Sequence, residues 1–102
     1  MEILLCCGAG MSSGFLANKA RKAAKKSSVD VVIHARSQSE VIEYLPQISV
    51  LLLGPHLGAE LANYQQAANG YDVKVAVIPK DIYSSLDGER LLSFALDLRK
   101  NK

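Results

Sequence analysis

Four short apolar runs, separated by longer segments with a helical spacing of apolar residues, most constrain how this chain can fold. The runs cover residues 3–7, 29–36, 50–53 and 73–78. The segments between them are long enough for a helix that returns the chain to the same end of a sheet. The alternation therefore predicts an α/β fold, a parallel sheet with helices on both faces.

The polarity of the runs predicts the order of the strands. Runs 3–7 and 50–53 are apolar throughout, as expected of central strands that are buried on both faces. The other two carry charges, at Asp30 and Arg36 and at Lys74, as edge strands often do. This pattern predicts a four-stranded sheet of order 2-1-3-4 in a three-layer, doubly wound, flavodoxin-like arrangement. The first and third strands then lie side by side at the switch point, where ligands bind beyond the carboxyl ends.

Helices are predicted between and after the strands from periodicity and capping residues. The first helix is predicted over residues 13–26, and a short second helix follows the Ser37–Glu40 capping box and carries Val41, Ile42 and Leu45. The third runs through Leu57, Leu61, Tyr64 and Ala68 and is ended by Gly70. The last is capped by Asp87, with Leu91, Leu92, Ala95 and Leu98 facing inward. The chain contains no internal repeat or linker, so residues 1–102 are expected to form one domain.

The segment Cys-Cys-Gly-Ala-Gly-Met-Ser-Ser, residues 6–13, joins the first strand to the first helix. Small residues let backbone N–H groups turn inward, and a helix N-terminus adds free donors and partial positive charge. A field of this kind also favours the reactive thiolate of a cysteine. The segment predicts a loop that carries a phosphoryl group on sulfur. Cys7 is favoured over Cys6 because it directly precedes the loop, and the alternative is a tight turn with two buried thiols.

Composition and charge exclude several classes of protein. A net charge of +2, without aromatics among the basic residues, does not indicate nucleic-acid binding. The chain has neither a membrane-spanning run nor a signal sequence, so a cytoplasmic location is expected. Two adjacent cysteines form neither a disulfide framework nor a CxxC motif. His34 and His56 have no ligand spacing, so neither a metal nor another cofactor is expected.

Two other functions use a cysteine at this position. A phosphatase of the Cys-x5-Arg kind needs a guanidinium to hold the phosphate, but Ser13 follows Cys7 by six residues and Ser12 follows Cys6. A thiol redox sensor or binding module could instead use the Cys6–Cys7 pair. A receiver domain is disfavoured because the first and third strands end in thiols and glycine, where that class carries magnesium-binding carboxylates.

The loop Cys7-Gly8-Ala9-Gly10-Met11-Ser12 resembles the Cys-x-x-Gly-x-Ser phosphorylation loop of enzyme IIB in the sugar phosphotransferase system, lactose/cellobiose (chitobiose) type. Leu51-Leu52-Leu53-Gly54-Pro55, Ile82-Tyr83 and Asp87-Gly88 extend the likeness over essentially the whole chain. One departure is His56, where glutamine is expected after Gly-Pro.

The resemblance implies a phosphotransferase that relays a phosphoryl group through phosphocysteine. Enzyme IIA would donate from phosphohistidine to Cys7, and Cys7 would pass the group to a sugar (β-glucoside, cellobiose, chitobiose or lactose type) in the membrane permease, enzyme IIC. The site would be P-loop-like, with Gly8, Ala9, Gly10, Met11, Ser12 and Ser13 binding the phosphoryl group.

Each residue that could make an accessory contact has two interpretations. His56 is either a polar lid on the phosphate or a solvated loop histidine, and Tyr83 either contacts the site or packs as a half-buried residue. The cations of the first helix (Lys19, Arg21, Lys22, Lys25 and Lys26) form either a solvated face or a docking surface for an acidic partner.

Overall fold

The four strands form one parallel sheet of order β2-β1-β3-β4 in the computed structural model, which describes residues 1–6 and 11–100. The strands are β1 (Glu2–Cys6), β2 (Val32–Arg36), β3 (Val50–Leu53) and β4 (Lys74–Val77). Each neighbouring pair is parallel. The predicted order and direction are confirmed. The apolar runs of β1 and β3 occupy the centre because only central strands are buried on both faces.

Five helices connect or follow the strands within the described ranges. They are α1 (Met11–Lys26), α2 (Val41–Tyr44), α3 (Leu61–Ala67), α4 (Lys80–Ser85) and α5 (Gly88–Lys100). Short 3₁₀ turns, Gln38–Glu40 and Pro55–Glu60, lead into α2 and α3. The helix predicted from Leu57 thus begins as a 3₁₀ turn, with Pro55 at its first position. Helix α4 was not predicted.

The sheet carries a packed core on each face, as expected of a three-layer fold. Ile3 and Leu5 of β1 pack with α1 and α5, whereas Leu4 and Cys6 pack with α2 and α3. Leu91, Leu92 and Ala95 of α5 are buried as predicted, and Leu98 is partly buried against the same core. The alternation of side chains along β1 therefore divides its residues between the two cores.

Helices α1 and α5 approach so closely that one position between them has no room for a side chain. A Cβ built on Gly88 would lie 2.2 Å from the carbonyl carbon of Lys19 and 2.5 Å from the backbone nitrogen of Ala20. These atoms belong to the α1 backbone, which cannot rotate aside as a side chain would. Glycine at residue 88 is required by this close approach.

The predicted capping residues lie where the helices begin and end. A carboxylate oxygen of Glu40 accepts from the Ser37 N–H at 3.3 Å, completing the predicted capping box. Asp87 Oδ1 accepts from the Arg90 N–H at 3.1 Å, so Asp87 caps α5. The predicted cap Gly70 lies two residues beyond Ala68, which is the C-cap of α3, and it has a φ of 99°, which favours glycine.

Strand β2 begins three residues later than the apolar pattern predicted. The N–H of Val29 donates to the Ala24 carbonyl at 2.8 Å, and Ser28 has a φ of 57°. These are the features of a Schellman motif that closes α1, so Val29 belongs to the helix end. Ile42 is 71% exposed, whereas its neighbour Val41 is buried, so only part of the apolar pattern of α2 faces the core.

Candidate functional site

The carboxyl ends of all four strands meet in register at one edge of the sheet. Cys6 pairs with Arg36 and with Leu53, and Leu53 pairs with Val77. The ladder continues one residue further: the Gly54 N–H donates to the Cys6 carbonyl at 2.9 Å, and the Ile78 N–H to the Leu53 carbonyl at 2.8 Å. The segments that follow β1, β3 and β4 therefore leave the sheet at the same edge, the predicted place for a ligand.

Helix α1 begins at this edge, directly after the predicted thiol loop. Cys7 and residues 8–10 lie outside the described residues, so their assignment to the site stays a prediction. The backbone of residues 11–13 forms the first turn of α1, where N–H groups have no acceptor within the helix. This turn has no acidic residue to offset the partial positive charge of the helix end. Such an end favours a bound anion.

Cys6 is a core residue. It is 1% exposed and packs in the cluster beneath α2 and α3. Its thiol is hydrogen-bonded to the hydroxyl of Tyr64. Burial, with a smaller contribution from Cys6, raises the pKa of Tyr64 to about 12. A thiol enclosed in this way is not placed to meet a partner protein, which leaves Cys7 as the candidate nucleophile of the pair.

The structure brings His56 and Tyr83 together. His56 is exposed on the 3₁₀ turn after β3, and its ring centroid lies 6.2 Å from that of Tyr83, with the ring planes tilted by 59°. Tyr83 lies on α4, the helix that was not predicted, and is partly buried against the core beneath α1 and α5. Tyr83 therefore has the packing role that the sequence left open, and its contact with the phosphoryl site stays a prediction.

An open cavity of about 520 Å³ extends beside these two rings. It is lined by Pro55, His56, Lys80, Tyr83 and Ser84. Lys80 and Ser84 were not among the predicted site residues. Lys80 could have been found, because it closely follows β4 and so starts from the shared edge. Ser84 could not, because its position depends on α4.

Other titratable groups do not assemble into a metal site in the part of the chain that the structure describes. Within residues 1–6 and 11–100, no three His, Cys, Asp or Glu side chains converge as metal ligands would. His34 lies on the β2 edge, with its Nε2 3.1 Å from Glu2 Oε1. Among the same residues, no helix has both the length and the apolarity needed to cross a membrane.

Helix α1 turns most of its cations toward solvent. Its exposed cations include Lys19, Lys22, Lys25 and Lys26. The Nζ of Lys26 lies 3.9 Å from Glu89 Oε1. Surface lysines of this kind contribute little to stability and are adequately explained by solvation. A docking role for them stays a prediction.

Comparison with known proteins adds a family match. The family model described as "PTS system, Lactose/Cellobiose specific IIB subunit" matches residues 2–94. The chain is 33% identical over 101 residues to the galactose-specific EIIB component of Lactococcus lactis subsp. cremoris and to the cellobiose-specific EIIB component of Lactococcus lactis subsp. lactis. In both cases 94% of each protein is covered. It is also 24% identical over 96 residues to the lactose-specific EIICB component of Lacticaseibacillus casei. That match covers 92% of this chain and 17% of the EIICB component.

Solved structures agree with the fold. The lactose-specific IIB domain of Streptococcus pneumoniae superposes with a TM-score of 0.86 at 17% identity, covering 95% of each chain. The cellobiose-specific IIB component of Borrelia burgdorferi superposes with a TM-score of 0.82 at 28% identity, covering 100% of this chain and 94% of that one. Both support the doubly wound arrangement described above.

Proposed function

This chain belongs to the lactose/cellobiose-specific IIB family of the sugar phosphotransferase system, and we propose that it carries a phosphoryl group on Cys7. The group would come from a phosphohistidine of enzyme IIA and go to a sugar bound in the permease, enzyme IIC. The observation that carries the proposal is the family match over residues 2–94, which includes the whole predicted thiol loop. The helix end and strand ends that flank this loop support the proposal, because such ends favour a bound anion.

The chemistry consists of two transfers of the same group. In the first, the sulfur of Cys7 attacks phosphorus, the P–N bond of the donor breaks, and the thiol proton passes to the released imidazole. In the second, a sugar hydroxyl attacks, the P–S bond breaks, and sulfur leaves as thiolate while the hydroxyl proton passes to a base. Both steps depend on positioning and on stabilising the charge of the phosphoryl oxygens. Free N–H groups in the first turn of α1 can supply part of that stabilisation.

A carrier must transfer its group faster than water removes it. Hydrolytic enzymes with a cysteine loop use an arginine six residues after the nucleophile, whereas this chain has Ser13 there. Weaker stabilisation of the transition state for water attack lengthens the life of phosphocysteine. The loop is therefore better suited to a carrier than to a phosphatase.

The cavity beside His56 supplies a second contact surface for the incoming or outgoing group. Lys80 adds a positive charge at the carboxyl edge of the sheet, and Tyr83 supplies an aromatic wall. We assign His56 and Tyr83 an accessory role in contacting the phosphoryl group or its carrier. Removal of either ring should slow transfer without abolishing it.

The partners follow from the same proposal. One relative, the EIICB component, combines IIC and IIB in one protein, so the permease is the expected acceptor partner. The expected donor is enzyme IIA, and transfer would take place at the cytoplasmic face of the membrane. The alternative of a redox pair is disfavoured by the burial of Cys6.

Mass analysis of the Cys7 peptide tests the proposal. The chain is mixed with a phosphorylated donor relay, digested, and examined for a peptide that is heavier by one phosphoryl group. We expect the adduct in the parent chain and in the matched control Cys6→Ala, and its loss in Cys7→Ser. Normal phosphoryl acceptance by Cys7→Ser would refute the assignment. Reversible oxidation of both thiols without phosphoryl uptake would favour the redox alternative.

A further inference from the structure

A second cleft lies between helix α1 and the free edge of strand β2. It has a volume of about 450 Å³ and is lined by Gly14, Phe15, Asn18, Arg21, Ala35 and Arg36. The volume is within the range of sites for small organic molecules, roughly 300–1,000 Å³. None of these residues is among those assigned above to the phosphoryl carrier.

Two arginines in this cleft are held in place by neutral acceptors. Arg21 donates to the backbone carbonyl of Ile33 through Nε, at 2.9 Å, and through Nη2, and it donates to Asn18 Oδ1 through Nη1, at 2.8 Å. Arg36 donates to the Tyr44 hydroxyl through Nε and to the Ala35 carbonyl through Nη1, each at 2.8 Å. The Arg36 guanidinium also lies 5.5 Å from the centroid of the Tyr44 ring. These contacts orient both guanidinium groups without neutralising either charge.

The charges of the two arginines have no counterpart among the described ion pairs. Those pairs are Lys26–Glu89, His34–Glu2, Arg90–Asp81 and Arg99–Asp72. A guanidinium has five N–H donors, so both Arg21 and Arg36 keep donors beyond those used above. Two oriented cations with unused donors at one concave surface attract an anion.

The two guanidinium groups are anchored to neighbouring positions of one strand. Arg21 donates to the carbonyl of Ile33, and Arg36 donates to that of Ala35, two residues further along β2. Two cations placed in this way can each donate to a different oxygen of one phosphate group. Phosphate is preferred to a carboxylate because it presents oxygens to both sides.

Phe15 supplies an apolar surface next to this charged pair. Phe15 is 63% exposed, so its ring is accessible at the wall of the cleft. An aromatic face can cover the apolar face of a sugar ring or another organic group. Gly14 keeps this part of the cleft open, because nothing lies within 4 Å of the position that its Cβ would take.

From this geometry we propose that the cleft binds a small organic phosphomonoester. The phosphate lies between Arg21 and Arg36, and the organic part lies against Phe15. The cleft lies at the same carboxyl edge of the sheet as the thiol loop, because Arg36 pairs with Cys6 in the strand register. A sugar phosphate is an apt test compound, because the proposed relay would produce one.

Amide shifts in an NMR titration of the full chain locate the binding. The probes are glucose 6-phosphate, inorganic phosphate and glucose. We expect saturable shifts at residues 14–18 and 35–36 with glucose 6-phosphate, at a Kd on the order of 1 mM. Inorganic phosphate should bind several-fold more weakly at the same amides, because it makes no contact with Phe15. Glucose, which has no charge, should leave these amides unchanged.

Variants separate this cleft from general charge attraction. Arg21→Gln should weaken binding of glucose 6-phosphate about tenfold, because it removes a charge-assisted contact. Lys22→Gln removes the same charge from α1 outside the cleft and is expected to leave the Kd unchanged. Gly14→Leu should block the cleft while retaining both arginines, and its surroundings leave space for the new side chain.

Three results would overturn the proposal. Equal weakening by Arg21→Gln and Lys22→Gln would show only diffuse attraction to a basic helix. Shifts confined to residues 7–13 would place the phosphate at the thiol loop. No binding of the sugar phosphate, combined with slower phosphoryl acceptance from the donor protein in Phe15→Ala, would make this face a protein docking surface. Loss of Cys7 phosphorylation alone bears only on the carrier function.

Discussion

Substitution of Gly88 by alanine is expected to be among the most destabilising small changes in this chain. The new Cβ would lie 2.2 Å from the carbonyl carbon of Lys19 and 2.4 Å from its oxygen, whereas ordinary contact begins at 3.4 Å. To relieve the overlap, the first turn of α5 must move from α1 by about 1 Å. Rotamer changes cannot relieve it, because the obstructing atoms are backbone atoms of α1.

The energetic cost follows from what such a movement would separate. Leu91 and Ala95 of α5 share a buried cluster with Leu16, Ala17 and Ala20 of α1. Insertion of one carbon into a packed interface costs about 1–3 kcal/mol, and a backbone obstruction belongs at the upper end. A loss of about 3 kcal/mol lowers the melting temperature of a domain of this size by roughly 15 °C.

Urea denaturation followed by far-UV circular dichroism measures this loss. Gly14→Ala is the matched control, because it makes the same substitution on α1 with nothing within 4 Å of the new Cβ. We expect that control to be neutral or up to about 1 kcal/mol more stable, since alanine favours the helix. Equal denaturation midpoints for Gly88→Ala and the control would refute the close-approach argument.

Three smaller effects are also expected. Ser28→Gly should raise the free energy of unfolding by about 1 kcal/mol, because Ser28 has a left-handed φ of 57°; an unchanged urea midpoint would contradict this. Asp87→Ala should lower it by about 1 kcal/mol through loss of the α5 cap, and Asp87→Asn should retain most of the stability. Because folding raises the pKa of Tyr64 from 10.0 to about 12, its contribution to stability is complete below pH 10 and lost as the pH rises through 12. Tyr64→Phe should remove that dependence together with the phenolate absorbance step near pH 12, and a parent chain without such a step would disprove the shift.

The sheet could be predicted from the sequence because burial on both faces leaves a clear pattern. Leu51, Leu52 and Leu53 are fully buried in β3, and no other kind of strand has so continuous an apolar run. Helix α4 could not be predicted in this way, because only Ile82 among its six residues is buried. Val29 misled the strand assignment because an apolar residue also packs beneath a helix end.

The candidate site was predictable only where sheet topology determines it. The strand order brings the segments after Cys6 and Leu53 to one edge, and this much follows from the pattern of apolar runs. The approach of Tyr83 to His56 depends on α4, and the contact of Arg21 with the Ile33 carbonyl depends on how α1 crosses the sheet. Contacts of this kind arise from packing, which local patterns do not encode.

Because strand register places the site, a defect in the core can imitate the loss of a catalytic group. Leu52 pairs with Leu5 and Ala76, and its burial helps to hold β1, β3 and β4 in register. A cavity created there would shift the segments that follow Cys6 and Leu53, although neither has a changed side chain. Small misplacements of reacting groups are costly, so phosphoryl transfer would fall together with stability. A substitution in the site itself should reduce phosphoryl transfer while leaving the urea midpoint unchanged. Measuring both quantities therefore distinguishes a residue that takes part in transfer from one that only stabilises the fold.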